Sequence, residues 1–471
     1  MRMSVIGAGY VGLTTAACLA QVGHDVFCSE SEGAKLEKLR NGVMPIFEPG
    51  LDIMVREGAR NKRLTFGSTP EAIDHAQVIF VCVGTPPLPN GEVDLSATEL
   101  LARTLAQRAT GYKLIIEKST VPVQTAARLR QYLTVRGTLG AEFDVASNPE
   151  FLREGSAVED FLHPDRIVIG VDGKRAEKSL RQVYAPVVDQ TFVCPVHEKC
   201  PQRSNVPLLV TDTNSAELIK HASNAFLAMK ISFINMVADL CESAGADIQK
   251  VAEGIGLDPR IGPAFLRPGI GFGGFCFPKD VQAIVRIAEK FGCNFNLMRE
   301  VEHINRSRVE RFVQKLKREL WVLRGKKIGV WGLAFKPETD DTRLSPALSI
   351  IRQLLSEGTQ VRAYDPHAIE NTRKELPSIT YCEDAYEAAA GADAVVLLTE
   401  WAEFRELDLS RVATMMERPL IIDGRNALPP DNVAAHGFEY VGIGGVRRSP
   451  SVRDFPFEIL GAESMGCAPR A

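Results

Sequence analysis

Met3-Ser4-Val5-Ile6-Gly7-Ala8-Gly9-Tyr10-Val11-Gly12, followed by a helical pattern through Leu19, decides the architecture of the first part of this chain. A short apolar strand runs into G-x-G-x-x-G, and a helix follows. Gly7 permits the tight turn, Gly9 lets a pyrophosphate approach the main chain, and Gly12 lets the helix pack on the strand. Tyr10 and Val11 then stand at a helix N-terminus whose amides and dipole face phosphate. A second strand, His24-Asp25-Val26-Phe27-Cys28, leads to Glu30, about 20 residues beyond the loop. A carboxylate there accepts both ribose hydroxyls and repels a 2′-phosphate, so NAD is expected rather than NADP. Lys35 nearby weakens that preference only a little.

Working outward, Val78–Val83 breaks at Gly84-Thr85-Pro86-Pro87, and Leu114–Glu117 ends in Lys118-Ser119-Thr120-Val121-Pro122. Strands alternating with helices, with small polar residues at their carboxyl ends, describe a doubly wound α/β sheet. Thr85, Ser119 and Thr120 would line its crevice, although each alone reads equally as a helix cap. The strand-then-glycine design recurs at Lys326–Lys336, and strands at Val361–Tyr364, Ala394–Thr399 and Leu420–Asp423 complete a second α/β unit. It lacks G-x-G-x-x-G, so a different nucleotide is expected there, with Lys336 and Arg425 at strand ends facing a diphosphate.

Between the two units the chain changes character. Asp212 to Gly245 reads as one apolar helix with hardly a breaker, and Lys220 and Asn224 lie one turn apart on it. A lysine in such a helix needs a partner, and burial makes it suited to proton transfer or oxyanion stabilisation. A helix this long and apolar also suggests a dimer interface. Gly271-Phe272-Gly273-Gly274-Phe275-Cys276-Phe277-Pro278-Lys279-Asp280 then sets one cysteine among three glycines, a cation and a carboxylate. That is a setting for a reactive sulfur, where a plain glycine turn with a buried, inert cysteine is the alternative. In Ser147-Asn148-Pro149-Glu150-Phe151-Leu152-Arg153-Glu154-Gly155, Glu150 and Glu154 would share a face if the segment is helical.

A chain of 471 residues with 45% hydrophobic and 24% charged residues and a net charge of −4 is expected to fold as two or three globular domains. It has no basic excess for nucleic acid or anionic membrane. It opens on a strand without a signal-peptide pattern, and no apolar run approaches the ~20 residues of a membrane span, so a cytoplasmic protein is expected. Ten scattered cysteines fit reduced thiols. Cys194, His197 and Cys200 have spacing compatible with a metal. Three ligands with no fourth in view favour a surface loop, and no metal is expected.

Taken together, these residues resemble the nucleotide-sugar 6-dehydrogenases, most closely those acting on UDP-glucose, over roughly residues 1 to 445. Gly7–Gly12, Pro45–Leu51, Val83–Pro86, Ser119–Pro122, Ser147–Gly155, Ala216–Asn224, Gly271–Asp280 and Asp423–Arg425 carry the resemblance. It implies two Rossmann-like doubly wound domains joined by a long central helix and a helical dimerisation region. Residues 1–211 would bind NAD, 212–310 would hold the cysteine loop and the dimer interface, and 311–445 would bind the UDP-sugar. Residues 446–471, rich in Gly, Arg, Ser and Pro, are expected to be a mobile tail. The resemblance further implies two hydride transfers, with Cys276 forming a thiohemiacetal and then a thioester. Lys220 and Asn224 would hold the oxyanion, and Asp280 would order water with Lys220. Glu154 would assist hydrolysis, and Thr120 would position water.

Arg343, Thr85, Ser119, Thr120 and Glu154 would border NAD. Glu150, Phe151, Leu152, Phe265, Phe272, Gly273, Lys336 and Arg425 would border the substrate, and Arg260 would reach it from a partner subunit. Two residues depart from the family pattern: Phe275 stands where Ser is usual before the cysteine, and Glu30 where Asp is usual. GDP-mannose or a UDP-N-acetyl-hexosamine remain alternative substrates. A single-hydride dehydrogenase, which would not need Cys276, and an inactive nucleotide-sugar-binding paralogue are alternative proteins.

Overall fold

The computed structural model describes residues 1–197 and 205–450. Its first sheet has eight strands: β1 (Arg2–Ile6), β2 (Asp25–Ser29), β3 (Leu64–Gly67), β4 (Val78–Val81), β5 (Tyr112–Glu117), β6 (Glu142–Ser147), β7 (Ile167–Gly170) and β8 (Leu208–Thr211). They lie in the order β3-β2-β1-β4-β5-β6-β7-β8. Only the β6–β7 pair is antiparallel. Helices cover both faces, so β4 reads as an unbroken apolar run and β1 is buried from Met3 to Ile6 rather than alternating. The chain reverses direction across the sheet between β1 and β4, and the crevice at their carboxyl ends is the switch point expected of this topology.

The second sheet runs β11-β10-β9-β12-β13-β14-β15. Its strands are β9 (Lys327–Trp331), β10 (Gln360–Tyr364), β11 (Thr380–Tyr381), β12 (Ala394–Leu397), β13 (Leu420–Asp423), β14 (Glu439–Val441) and β15 (Arg447–Arg448). It is parallel up to β14, and β15 folds back antiparallel. The helix Pro346–Ser356 follows β9, with Pro at its first position.

The central helix spans Thr213–Ala244, 32 residues. Asp212 caps it by accepting from the Ser215 amide at 2.8 Å, and Gly245 ends it with φ of 71°. One side packs against the helices Cys276–Lys290 and Asn296–Leu320. The other leaves Phe233, Met236 and Leu240 about half exposed. Among the described residues it is the one helix long and apolar enough to cross a membrane. Buried Glu217, Lys220, His221 and Asn224 nevertheless give its first turns a polar interior. The greater part of the expected tail, residues 451–471, lies outside the described residues, as does Cys200.

Candidate active site

Glycine chemistry sets the cofactor crevice. Gly7 has φ of +100°, a conformation that L side chains rarely adopt, and a Cβ there would sit 2.5 Å from the Cys82 carbonyl. A Cβ on Gly12 would fall 1.8 Å from the Gly7 carbonyl oxygen, so Gly12 lies beneath the loop and makes the close helix–strand packing possible. A Cβ on Gly9 would meet nothing within 4 Å, because that side opens into a cavity of about 570 Å³. Gly7, Gly9, Tyr10, Val11, Glu30, Lys35, Thr85, Ser119, Thr120, Glu154 and Arg343 all line it.

Glu30 stands ready for a ribose. Its Oε1 accepts from the Ser31 amide at 2.7 Å and the Glu32 amide at 3.1 Å, and its Oε2 meets Lys35 Nζ at 2.9 Å. Burial opposes its charge. The Glu32 and Ser31 amides and the Lys35 ammonium outweigh that and hold the carboxyl below its usual range. The carboxylate therefore stays ionised with lone pairs to spare for hydroxyl donors. The cradle and its acid fit a dinucleotide.

Cys276 opens the helix Cys276–Lys290 and lines both this cavity and a second one of about 790 Å³. Phe151, Leu152, Lys220, Asn224 and Phe265 line the second cavity, and Cys276 and Leu152 are the residues the two share. Around the sulfur the polar groups are interlocked. Lys220 Nζ meets Glu150 Oε1 at 2.9 Å, with both side chains about 5% exposed. Glu150 Oε2 also accepts from the Leu152 amide at 2.7 Å. Asn224 Nδ2 donates to Asp280 Oδ2 at 2.6 Å, and Lys279 Nζ lies 2.7 Å from Asp280 Oδ1.

Burial opposes the charge of Lys220, but Glu150, Cys276 and Asp280 keep its pKa above the ordinary value, so it is an ammonium. Burial also works against the Asp280 carboxylate, and the Lys279, His221 and Lys220 charges outweigh it and hold the acid ionised. The Cys276 thiol is pushed up to about 12, first by burial and then by Glu150, with Lys220 opposing. At rest the sulfur is a protonated thiol, and the positive groups around it are what stabilise the thiolate.

Glu150 and Glu154 do not share a helix face, because the segment Asn148–Arg153 is extended loop. Tertiary partners set its shape. Glu48 accepts from the Gly155 and Ala157 amides, both at 2.6 Å, and from the Tyr10 hydroxyl. Gly155 takes φ of +83° against the Glu338 main chain. Glu154 is thereby turned toward the second unit, where it accepts from Thr339 Oγ1 at 3.2 Å and lies 3.6 Å from Arg343 Nη2. Its pKa rises to about 7, from burial first and the Asp341 charge second, against Arg343 and Lys336. A carboxyl poised near neutrality is suited to taking a proton from water.

The remaining predicted residues fall outside both cavities. Phe272 is buried edge-on against Phe277, and a Cβ on Gly273 would sit 2.5 Å from the Leu344 carbonyl. Lys336 is enclosed beside Glu154 and Glu48, where burial lowers its pKa. The guanidinium of Arg425 donates to the carbonyls of Leu398, Gly271 and Phe335, at 2.9 to 3.1 Å, and so ties the cysteine loop to the second sheet. Arg260 is exposed and forks onto Asp258. Phe275 lines the cofactor cavity, with the Arg343 guanidinium 4.6 Å from its ring centre.

Sequence reasoning passed over Lys118, which is buried at the end of β5. It donates to Asn148 Oδ1 at 3.1 Å, and burial lowers its pKa to about 8. A lysine just past the apolar run Leu114–Ile116, at the carboxyl end of a strand, was the available signal.

The arrangement of glycine cradle, central helix and second nucleotide fold has close counterparts. The UDP-glucose/GDP-mannose dehydrogenase family matches in three consecutive pieces: its NAD binding domain over residues 1–188, its central domain over 214–307 and its UDP binding domain over 329–430. The chain belongs to that family. As a member of the UDP-glucose/GDP-mannose dehydrogenase family it uses NAD as cofactor. It is 44% identical to the UDP-glucose 6-dehydrogenase of Rhizobium meliloti over 94% of this chain and 99% of the relative. It is 42% identical to the UDP-glucose 6-dehydrogenase TuaD of Bacillus subtilis, over 97% and 96%. Among solved structures, a UDP-glucose dehydrogenase from Pyrobaculum islandicum superposes with a TM-score of 0.83 at 37% identity, covering 94% of this chain and 98% of that one. A UDP-D-ManNAc dehydrogenase from Pyrococcus horikoshii gives 0.80 at 28%, covering 94% and 99%.

Proposed function

We propose that this chain is an NAD-dependent UDP-glucose 6-dehydrogenase, which oxidises the C6 alcohol of UDP-glucose to the carboxylate of UDP-glucuronate. The observation that carries the reading is the single sulfur of Cys276 at the meeting of two cavities, with Lys220, Asn224 and Asp280 packed around it. Curated relatives above 40% identity over nearly the whole chain support UDP-glucose over the other hexoses.

When bound in the glycine cradle, NAD would supply the hydride acceptor, one molecule for each of two successive hydrides. After the first, the substrate carbon is an aldehyde. The Cys276 sulfur forms a bond to that carbon, the carbonyl π pair moves to oxygen, and the thiol proton is released so that the oxygen ends as a hydroxyl. Lys220 and the second amide hydrogen of Asn224 donate to that oxygen while it carries charge. Loss of the second hydride and of the hydroxyl proton leaves a thioester on Cys276. Glu154 then takes a proton from water as it attacks. The C–S bond breaks, and the products are a carboxylate and a regenerated thiol. Asp280 holds Asn224 in place throughout, and Thr120 borders the water.

Lys336 and Arg425 are assigned to the UDP side, and Arg260 to the site of a neighbouring subunit. The half-exposed row Phe233, Met236 and Leu240 supports a homodimer built on the central helix.

The test is the ratio of NADH formed to UDP-glucose consumed by purified protein in excess NAD. Two per sugar is expected. Two with GDP-mannose or an N-acetylated UDP-hexose, and none with UDP-glucose, would move the specificity. None with any nucleotide sugar would refute the reading.

A further inference from the structure

His163, Cys194 and His197 meet on the first domain, away from the cofactor cavity, and their candidate ligand atoms all lie within 4.8 Å of one another. His163 closes the short helix Ala157–Leu162 and is buried, whereas Cys194 and His197 belong to the loop that precedes β8. His163 Nε2 is 3.2 Å from Cys194 Sγ, and His197 Nδ1 is 3.7 Å from the same sulfur. A tetrahedral zinc ion with Zn–N of about 2.0–2.1 Å and Zn–S of about 2.3 Å places neighbouring ligand atoms roughly 3.3–3.6 Å apart. The two spacings to the sulfur bracket that range.

The groups behind the ligands are arranged to match. His163 Nδ1 is 2.6 Å from Gln190 Oε1. The Gln190 amide nitrogen donates to the carbonyls of Leu162 and Val187, which fixes its oxygen as the acceptor. His163 therefore carries its proton on Nδ1 and turns the Nε2 lone pair toward Cys194. His197 is the mirror case. Its Nε2 lies 3.7 Å from Glu159 Oε1, which leaves Nδ1 facing the sulfur. The Gln190 oxygen on the far nitrogen of His163 is the arrangement that orients metal-ligating histidines, and His197 has a carboxylate at ion-pair distance on its far nitrogen. The sulfur itself accepts from the amides of Val196 and His197, both at 3.4 Å.

We propose that His163 Nε2, Cys194 Sγ and His197 Nδ1 bind a zinc-type divalent cation. Nitrogen and sulfur ligands exclude calcium and magnesium, which take oxygen. Three ligand atoms leave one tetrahedral position for water. The ion clips the loop before β8 onto the corner between the helix Ala157–Leu162 and β7. His163 and Glu159 also line the larger cavity, so the clip would stiffen one of its walls.

The test is metal analysis of the full-length chain purified without chelator and dialysed against micromolar zinc. About one tightly held zinc per chain is expected. Cys194→Ser and His197→Ala should each lower occupancy at least about tenfold. Their NAD binding should stay at the parent value, which shows that the fold survives. Cobalt(II) added to metal-stripped protein should give the visible bands of a tetrahedral site and a thiolate-to-cobalt band that Cys194→Ser abolishes. Less than about one-tenth of a zinc per chain in the parent would overturn the proposal. So would variants that keep the parent's zinc, or a cobalt spectrum unchanged by Cys194→Ser.

Discussion

Replacing Lys220 by Met separates what the buried ion pair does for the fold from what it does for the chemistry. The ammonium and the Glu150 carboxylate are about 5% exposed and 2.9 Å apart. Removing only the cation leaves Glu150 with the Leu152 amide as its hydrogen-bond donor. Breaking one side of a buried pair costs about 3–5 kcal/mol, because the surviving charge has lost its compensation. Removing an oxyanion donor costs about 2.7–4 kcal/mol in the transition state, a factor of about 10²–10³ in kcat.

The two costs are of similar size, and a second variant tells them apart. In Glu150→Gln/Lys220→Met the uncompensated charge is gone and an amide oxygen can still accept from Leu152. Its urea midpoint should return most of the way to the parent's, while its rate of NADH formation stays at least about a hundredfold low. A single variant that unfolds at the parent's midpoint would refute the burial argument. A double variant that regains rate along with stability would refute the chemical role.

Glu154→Gln should make NADH in a burst and then stall, with the acyl group on Cys276 visible by mass spectrometry and kcat lower by about 10²–10⁴. The parent needs Glu154 ionised, and its pKa is about 7, so kcat should fall about tenfold per unit as pH drops below 7. The variant should lose that limb of the profile, and a variant that keeps it would exclude Glu154 as the base. For the apolar row on the central helix, Phe233→Asp with Leu240→Asp should halve the mass measured by light scattering. A parent that is already monomeric would remove the dimer assignment.

Much of the scaffold is legible in the sequence. The glycine loop and Glu30 define the first crevice through local sterics and charge. The central helix starts and ends at Asp212 and Gly245 because capping is itself local. The conformation of the acidic segment stayed open for the complementary reason. Acids four apart look helical in pattern, yet Pro149 and Gly155 bracket a loop whose shape depends on Lys220 and Glu48, which are distant in sequence. His163 was missed as a companion of Cys194 for the same cause, since 31 residues separate them and only the folded domain brings them together.

Cys276 borders two chambers that share little besides itself and Leu152. A four-electron oxidation consumes two molecules of a two-electron acceptor, so a spent dinucleotide has to be replaced in mid-reaction. On the proposed mechanism, separate chambers would let the exchange on one side leave the sugar's binding contacts on the other undisturbed. The half-oxidised sugar, tethered to the sulfur, would then stay bound while the exchange takes place.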